Sequence, residues 1–155
     1  ALSWQGEIRN ILNDCIKMQL NAVESTTVYK NLSLGIYPAV ILDWTGAYSD
    51  PEAYLTPLLS CSDIEGDKCK KGESVYSGSF WGSRRVEKLF VESENINGYD
   101  RLTKLIEIEQ IASESIPYVP IWISSQKAWS QNEISKPIFN GAGIISMSDL
   151  KFINE

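Results

Sequence analysis

The stretch YPAVILDWTGAYSDPEAYLTPLLSC, residues 37–61, decides how the chain is expected to fold. Residues 37–45 form an apolar run that barely alternates with polar residues, which is typical of a strand buried on both faces. Asp50 suits the N-cap of a helix and Pro51 suits its first position, so a helix should follow. Pro57 is expected to kink or shorten that helix. The stretch therefore predicts a strand, a short loop and a helix.

The residues before this stretch alternate between helix and strand. Apolar residues at helical spacing predict a helix over 2–14, and residues 16–23 alternate apolar and polar like a strand. A weaker helical pattern over 25–34 stops at Gly35. The order helix, strand, helix, strand is typical of β-α-β units, so the sequence predicts an α/β fold with a parallel sheet.

The residues after the stretch predict two more helices and one more strand. Ser83 is expected to cap one helix, and Asp100 the longest helix, which runs to about residue 115. Residues 118–124 favour a strand near a sheet edge, because they contain a proline. Residues 126–155 do not continue the alternation, which is consistent with a segment that packs on another body.

The three cysteines allow a disulfide but no zinc site. Cys15 lies among apolar residues and is expected to be a buried free thiol. Cys61 and Cys69 flank a polar segment, and a disulfide there would stabilise the fold by roughly 2–3 kcal/mol. Such a bond needs an oxidising compartment, so free thiols stay the alternative. Two cysteines without a histidine disfavour a structural zinc site, which needs four N or S ligands, so no metal site is expected.

Composition and charge exclude several classes of protein. The chain is 43% hydrophobic and 22% charged, which is ordinary for a globular domain. Its net charge of −6 disfavours a nucleic-acid partner, since phosphate binding needs clustered Lys and Arg. The longest apolar stretches fall far short of the ~20 residues that a membrane-spanning helix needs.

The sequence predicts no catalysis and no cofactor. Histidine, the commonest general base, is absent, which excludes Ser-His-Asp and Cys-His systems within this chain. Neither glycine-rich phosphate-binding motif is present. Asp43 and Asp50 could form a carboxylate pair of the kind used by glycosidases, but Asp50 is better explained as a helix cap.

The loop after the 37–45 strand is the candidate binding site. In an open parallel sheet, ligands bind beyond the carboxyl ends of the strands. Two aromatic residues beside a glycine and small polar groups suit the wall of a pocket, although Trp44 could equally be a core residue. The candidate ligand-binding residues of this loop are Asp43, Trp44, Thr45, Gly46, Ala47 and Tyr48.

Residues 37–61 also resemble the signature region of family 5 extracellular solute-binding proteins, the peptide- and nickel-type binding proteins of ABC importers. The Trp, Asp and Pro of that region match Trp44, Asp50 and Pro51 at the family's spacing. Glu24 stands upstream as in peptide-binding members, and the resemblance adds it to the candidate ligand-binding residues.

The resemblance extends over essentially the whole chain. GSFWGSRRVEKLF (78–90) resembles the segment before the family's next helix, and YDRLTKLIEIEQIASESIPYVPIW (99–122) resembles that helix and the strand after it. The implied fold is the C-terminal lobe, incomplete, of a two-lobe type II periplasmic-binding-protein-like architecture. Residues 1–126 would form most of the second α/β lobe, and residues 127–155 would be a C-terminal segment that returns to a first lobe.

The function that the resemblance implies is ligand capture rather than an enzymatic reaction. The chain would belong to the substrate-binding component of an ABC importer, which closes two lobes on a peptide-like or other small solute. It would act in the periplasm or anchored to the outside of the cytoplasmic membrane, and would deliver its solute to the permease subunits. Two alternatives from the residues alone are an α/β enzyme domain of flavodoxin-like form and a protein-interaction module.

One position departs from the family. Peptide-binding members carry an Asp where this chain has Ala47, and that Asp pairs with the α-ammonium group of the peptide. One interpretation is that the ligand is not an ordinary free-amino peptide or is held differently, with Asp43 as a displaced anion. The other is that an acidic residue of the first lobe replaces the missing Asp.

Overall fold

The computed structural model describes residues 1–13 and 15–153. Within these ranges the chain forms helices, one antiparallel pair of strands and a 3₁₀ turn. In chain order they are α1 (Leu2–Leu12), α2 (Ser25–Leu32), α3 (Glu52–Leu59), β1 (Asp63–Glu65), β2 (Lys68–Lys71), α4 (Glu73–Tyr76), α5 (Arg84–Glu94), α6 (Gly98–Ser115) and the 3₁₀ turn Met147–Asp149.

The hydrophobic core lies between α3, α5 and α6. Helix α5 begins after Ser83, whose hydroxyl accepts a hydrogen bond from Val86 N at 3.4 Å, as predicted for its N-cap. Its buried residues recur every three or four positions, so one face of the helix packs inward. The buried core residues are Leu59, Val86, Leu89, Phe90, Leu105 and Ile108.

Helix α6 begins earlier than the sequence suggests. Its N-cap is Asn97 rather than Asp100, which lies in the first turn, where a carboxylate still favours the helix dipole. Gly98 has a positive φ of 63°, which glycine adopts without strain. The helix ends at Ser115, where Ile116 takes a left-handed conformation.

The region between α3 and α5 is a hairpin that contains a disulfide. β1 and β2 pair antiparallel, and a disulfide joins Cys61 to Cys69 with their Cα atoms 5.7 Å apart. Gly72 is required beside them, since a Cβ there would lie 2.6 Å from Cys61 Cα. Both sulfurs are buried, and constraining the unfolded chain in this way stabilises the fold by roughly 2–3 kcal/mol.

The hairpin is joined to α5 by a half-buried carboxylate. The Glu87 side chain accepts a hydrogen bond from Cys61 N at 2.6 Å. Burial raises the pKa of Glu87, and the hydrogen bond from Cys61 N opposes that shift in part. The hairpin, α3, α5 and α6 therefore form one packed unit, which we call the body, residues 52–118.

The segments on either side of the body differ from the predictions. Residues 16–23, 37–45 and 118–124 are predicted strands, yet in the described ranges none of them pairs with a neighbouring strand. A strand is stable only when its backbone groups have ladder partners, and these segments lack them. Trp122 is 71% exposed and Ile123 fully exposed. The α/β lobe with a parallel sheet stays a prediction.

The N-terminal helix forms as predicted but buries none of its described side chains. Its Gln5 side chain donates a hydrogen bond to Met18 O at 2.8 Å, which ties the helix to the segment that follows it. Cys15 is a free cysteine but exposed, so its predicted burial is wrong, because no element packs on it. Asp14, at the predicted end of the helix, lies outside the described residues.

The C-terminal segment pairs mainly with itself. Ile134 bridges Phe152, and Phe139 bridges Ile145, both antiparallel. Asn140 lies at the turn between the second pair, and its side chain accepts two backbone hydrogen bonds. Residues 154 and 155 of the predicted returning segment lie outside the described residues.

Candidate functional site

Trp44, at the start of the candidate loop (residues 43–48), forms a hydrogen bond to a carbonyl that Pro57 leaves free. A proline inside a helix has no N–H, so the carbonyl four residues earlier loses its intrahelical donor. That carbonyl belongs to Ala53, and the Trp44 indole Nε1 donates to it at 3.4 Å. The indole is 46% exposed, so it remains accessible on its other side.

The middle of the loop is fixed by a close approach between backbone and ring. Gly46 is buried, and a Cβ at this position would lie 2.6 Å from Cε2 of Tyr54. Any larger residue would therefore push the ring aside. Tyr54 belongs to α3, so the loop lies directly against the first turn of that helix.

The end of the loop is fixed by an ion-pair network. Arg101 of α6 donates two hydrogen bonds to the Asp50 carboxylate, at 2.8 and 2.9 Å, and one to Glu52 at 2.5 Å. Asp50 also accepts a hydrogen bond from Glu52 N at 2.9 Å, which closes the start of α3. These side chains are 22–30% exposed. Geometry of this bidentate kind is the stronger form of ion pair.

The network shifts the pKa values of both partners. The hydrogen bond from Arg101, then the one from Glu52 N, lowers the pKa of Asp50, while desolvation opposes the shift. Hydrogen bonds to Asp50 and Glu52 raise the pKa of Arg101. Both charges therefore persist over the whole physiological pH range, and they hold α3 and α6 together beneath the loop.

The other residues of the loop face solvent. Thr45 and Ala47 are exposed, and the Tyr48 ring is 54% exposed. The Asp43 carboxylate is exposed and forms no ion pair or hydrogen bond with any described residue. The loop thus carries two accessible aromatic rings and one free carboxylate on a firmly held backbone.

Glu24 lies at a different place and has a structural role. Its carboxylate accepts hydrogen bonds from Thr27 N at 3.3 Å and from the Thr26 hydroxyl, so it caps α2. These bonds, that from Thr26 foremost, lower the pKa of Glu24. Among the described residues, no hydrogen bond joins it to the loop.

Three residues that position the loop could not be found from sequence patterns. Tyr54 covers Gly46, Arg101 holds Asp50, and Gly141 of the C-terminal segment lies against the Ser49 side chain. Arg101 and Gly141 are far from the loop along the chain, and no local pattern indicates such a contact. The one available signal is Pro57, which predicts a free carbonyl at the residue four positions before it.

Two open cavities lie away from the loop. One of about 440 Å³ is formed by the hairpin turn, the start of α5 and the end of α6, and a second of about 410 Å³ lies beside α1. Neither is lined by residues 43–48. Within 1–13 and 15–153, no set of three or more His, Cys, Asp or Glu residues could hold a metal ion. No helix in those ranges is long and apolar enough to cross a membrane.

Known proteins provide a distant comparison. No family model matches the chain. Over 107 residues, 68% of this chain, it is 25% identical to "Di/tripeptide-binding protein 3" of Pseudomonas aeruginosa strain UCBPP-PA14 and to "Dipeptide-binding protein" of strain PAO1. The chain is similar to peptide-binding proteins. "Di/tripeptide-binding protein 4" of strain UCBPP-PA14 matches at the same 25% identity over the same length. The match covers 18–19% of these relatives, less than a fifth of their length.

Proposed function

We propose that the chain is part of a solute-binding protein and that residues 43–48 contact a peptide-like ligand. The relatives are named as di- and tripeptide-binding proteins, which supports a binding role rather than an enzymatic one. The observation that carries the proposal is the pair of half-exposed rings, Trp44 and Tyr48, on a loop held at its start, middle and end.

The physical argument rests on preorganisation. A loop that is already ordered loses little conformational entropy when it binds, so more of the contact energy appears as affinity. Trp44 is held by α3, Gly46 lies under Tyr54, and Asp50 is paired with Arg101. Rigid aromatic rings are the side chains that contribute most at binding surfaces.

Asp43 defines the class of ligand that the loop would prefer. Its carboxylate has no partner among the described residues and lies next to Trp44 in the chain. A carboxylate beside an indole face attracts an ammonium group by direct charge pairing and by a cation–π contact. We therefore propose that Asp43 contacts a cationic group of the ligand, as the displaced anion that replaces a carboxylate at Ala47.

The exposed apolar residues on both sides of the body support a larger assembly. Ile11, Val119, Trp122 and Ile123 are 68–100% exposed. An apolar surface of this kind favours a protein contact, and the relatives are more than five times longer than the match. We propose that a first lobe covers this surface in a longer polypeptide, so that closure of two α/β lobes buries the ligand.

The disulfide supports an extracytoplasmic location. Cys61 and Cys69 are bonded, and such bonds persist in oxidising compartments such as the bacterial periplasm. We propose that the protein acts in the periplasm or anchored outside the cytoplasmic membrane, and passes its solute to the permease subunits of an ABC importer.

Calorimetric titration of the complete gene product tests the proposal. The panel is free dipeptides, N-acetylated dipeptides, a nickel chelate and an oligosaccharide. Free dipeptides should bind, and Tyr48→Ala should weaken binding about tenfold, the effect of losing a buried aromatic contact. Tyr76→Ala is the matched control, because Tyr76 is similarly exposed, at 64%, but belongs to α4. Absence of binding by every compound, or equal affinity of both variants, would contradict the proposal.

The role of Asp43 is tested separately with the same titrations. If Asp43 binds the ligand's ammonium group, Asp43→Asn should abolish the preference for free over acetylated dipeptides. If that preference survives in the variant, an acidic residue elsewhere binds the ammonium group, and the role proposed for Asp43 is wrong while the binding function stands.

A protein-interaction module is the second candidate function. The observation that favours it is the exposed apolar run 119–123, which ends in a fully exposed Ile123. The two candidates differ in the state of this run in the complete gene product. Hydrogen exchange there should be slow if a first lobe covers it and fast until a separate partner is added if it is an interaction surface.

A further inference from the structure

We propose that Asn97 is a site of spontaneous deamidation, and that the structure selects it over the chain's other Asn-Gly pair, Asn140-Gly141. The reaction starts when the backbone nitrogen of Gly98 attacks the side-chain Cγ of Asn97. Ammonia leaves and a five-membered succinimide ring forms. Water then opens the ring at either carbonyl, which gives aspartate or isoaspartate at position 97.

The Asn97 side chain is free to react. It is the N-cap residue of α6, yet its side chain makes no capping hydrogen bond, and it is exposed. The nucleophile is equally free, since Gly98 is the first residue of the helix and its N–H has no acceptor within the helix. Both reacting groups can therefore rotate towards each other without breaking a side-chain contact.

The surroundings of Gly98 are also open. A Cβ built on Gly98 meets no atom within 4 Å. The backbone at this point can change its dihedral angles at little steric cost, because Gly98 lacks a side chain. The start of α6 thus has room for the succinimide.

The second Asn-Gly pair is restrained by three hydrogen bonds and one close approach. The Asn140 Oδ1 atom accepts hydrogen bonds from Ala142 N at 3.0 Å and Ile144 N at 2.9 Å. The Asn140 backbone N–H donates to Ile144 O at 2.9 Å. Gly141 lies against the Ser49 side chain, so the backbone of this pair is more confined than that of Asn97-Gly98. Succinimide formation here must first break the two side-chain hydrogen bonds.

The modification changes the start of the longest helix. Aspartate at the N-cap adds a negative charge where the helix dipole favours one, and it can accept the capping hydrogen bonds that Asn97 does not make. Isoaspartate instead inserts an extra backbone atom between residue 97 and Gly98. That change alters the approach to α6 and thereby the position of Arg101 opposite Asp50.

Peptide mapping by mass spectrometry tests the proposal. The purified chain is kept folded in mildly alkaline buffer, and the replacement of NH2 by OH is followed at both asparagines over time. Asn97 should lose its amide about tenfold faster than Asn140, because the competing site must break two hydrogen bonds first. Asn97→Gln, which closes a ring much less readily, should remove the fast component.

A parallel sample in denaturant separates structure from local sequence. Once unfolded, both pairs should react at comparable rates. Deamidation of Asn140 at an equal or faster rate in the folded chain would overturn the proposal. The same would follow if Asn97 remained the faster site by the same ratio in the unfolded chain, because local sequence and not the fold would then control the reaction.

Discussion

The body and its flanking segments, residues 1–51 and 119–153, both carry apolar residues in regular patterns but differ in how much of that apolar surface is buried. The buried core is formed by residues between Leu59 and Ile108. Within the flanks, Leu32 is a clear exception to the general exposure, since it is 5% exposed and packs against Gly78. Apolar periodicity therefore predicts helices such as α1 and α5, whereas burial and strand pairing depend on a partner.

Helices α1 and α5 show this difference directly. Both are eleven residues long and both carry apolar residues at helical spacing. Helix α5 packs on α6 and buries Val86, Leu89 and Phe90, whereas α1 buries none of its described side chains. Among the described residues, α5 packs extensively on a neighbouring helix and α1 does not.

The largest expected effect comes from a substitution in the buried core of the body. Leu89→Ala should lower the free energy of unfolding by about 2–5 kcal/mol, because Leu89 is fully buried and the substitution leaves a cavity. Ile123→Ala in the flank should change it by less than about 0.5 kcal/mol, since Ile123 is fully exposed. Urea unfolding followed by circular dichroism measures both. Comparable losses in the two variants would show that the body and flanks do not differ in this way.

Sequence patterns predict the body better than the flanks. The Ser83 cap and the inward face of α5 are confirmed, and of the two alternatives for Cys61 and Cys69 the structure has the disulfide; each of these depends on local spacing. The sequence predicts that Asp100 caps α6, because Asp is a good cap, whereas the cap in the structure is Asn97. The strands expected in the flanks depend on pairing partners, which no local pattern supplies.

The candidate site shows the same difference between local features, which the sequence predicts, and long-range contacts, which it does not. The loop itself follows from its aromatic and glycine residues, but what holds it does not. Arg101 contacts Asp50 across 51 positions of the chain, and Gly141 approaches Ser49 from the C-terminal segment. Such contacts arise from tertiary packing, so they become visible only in the folded structure. The place of Glu24 in a ligand site stays a prediction, while its capping role is seen.

An intermediate effect is expected where the body holds the loop. Arg101→Met should reduce the free energy of unfolding by about 1–2 kcal/mol at neutral pH, since it removes charge-assisted hydrogen bonds that are mostly shielded from solvent. Arg85→Met is the matched control, because Arg85 pairs with Glu107 on the exposed surface of the body. Arg85→Met should therefore reduce the free energy of unfolding by less than Arg101→Met does.

The pH dependence of this pair has a definite sign. The folded-state pKa of Asp50 is lowered, first by Arg101, so its stabilising effect is present above the unfolded value of about 4 and is lost as the pH falls through the folded value. Glu87 acts in the opposite direction, since burial raises its pKa. Unfolding curves across this acid range should show a shallower loss of stability for Arg101→Met than for the natural chain. Parallel curves would mean that Asp50 does not contribute.

The smallest expected effect concerns the contact between the loop and α3. Gly46→Ala should destabilise the chain by about 1 kcal/mol, because its Cβ would lie 2.6 Å from the Tyr54 ring and the ring must move. Gly6→Ala is the matched control: a Cβ there meets no atom within 4 Å, so alanine should be neutral or stabilise α1 through its helix propensity. Combining Gly46→Ala with Tyr54→Ala should recover part of the loss, since the two residues are in contact and their effects are not additive. Thermal unfolding of Gly46→Ala, Tyr54→Ala, the double variant and the Gly6→Ala control, each compared with the natural chain, measures this coupling. If Gly46→Ala destabilises equally with and without the Tyr54 ring, the loop is not held by this contact, and its other contacts position it.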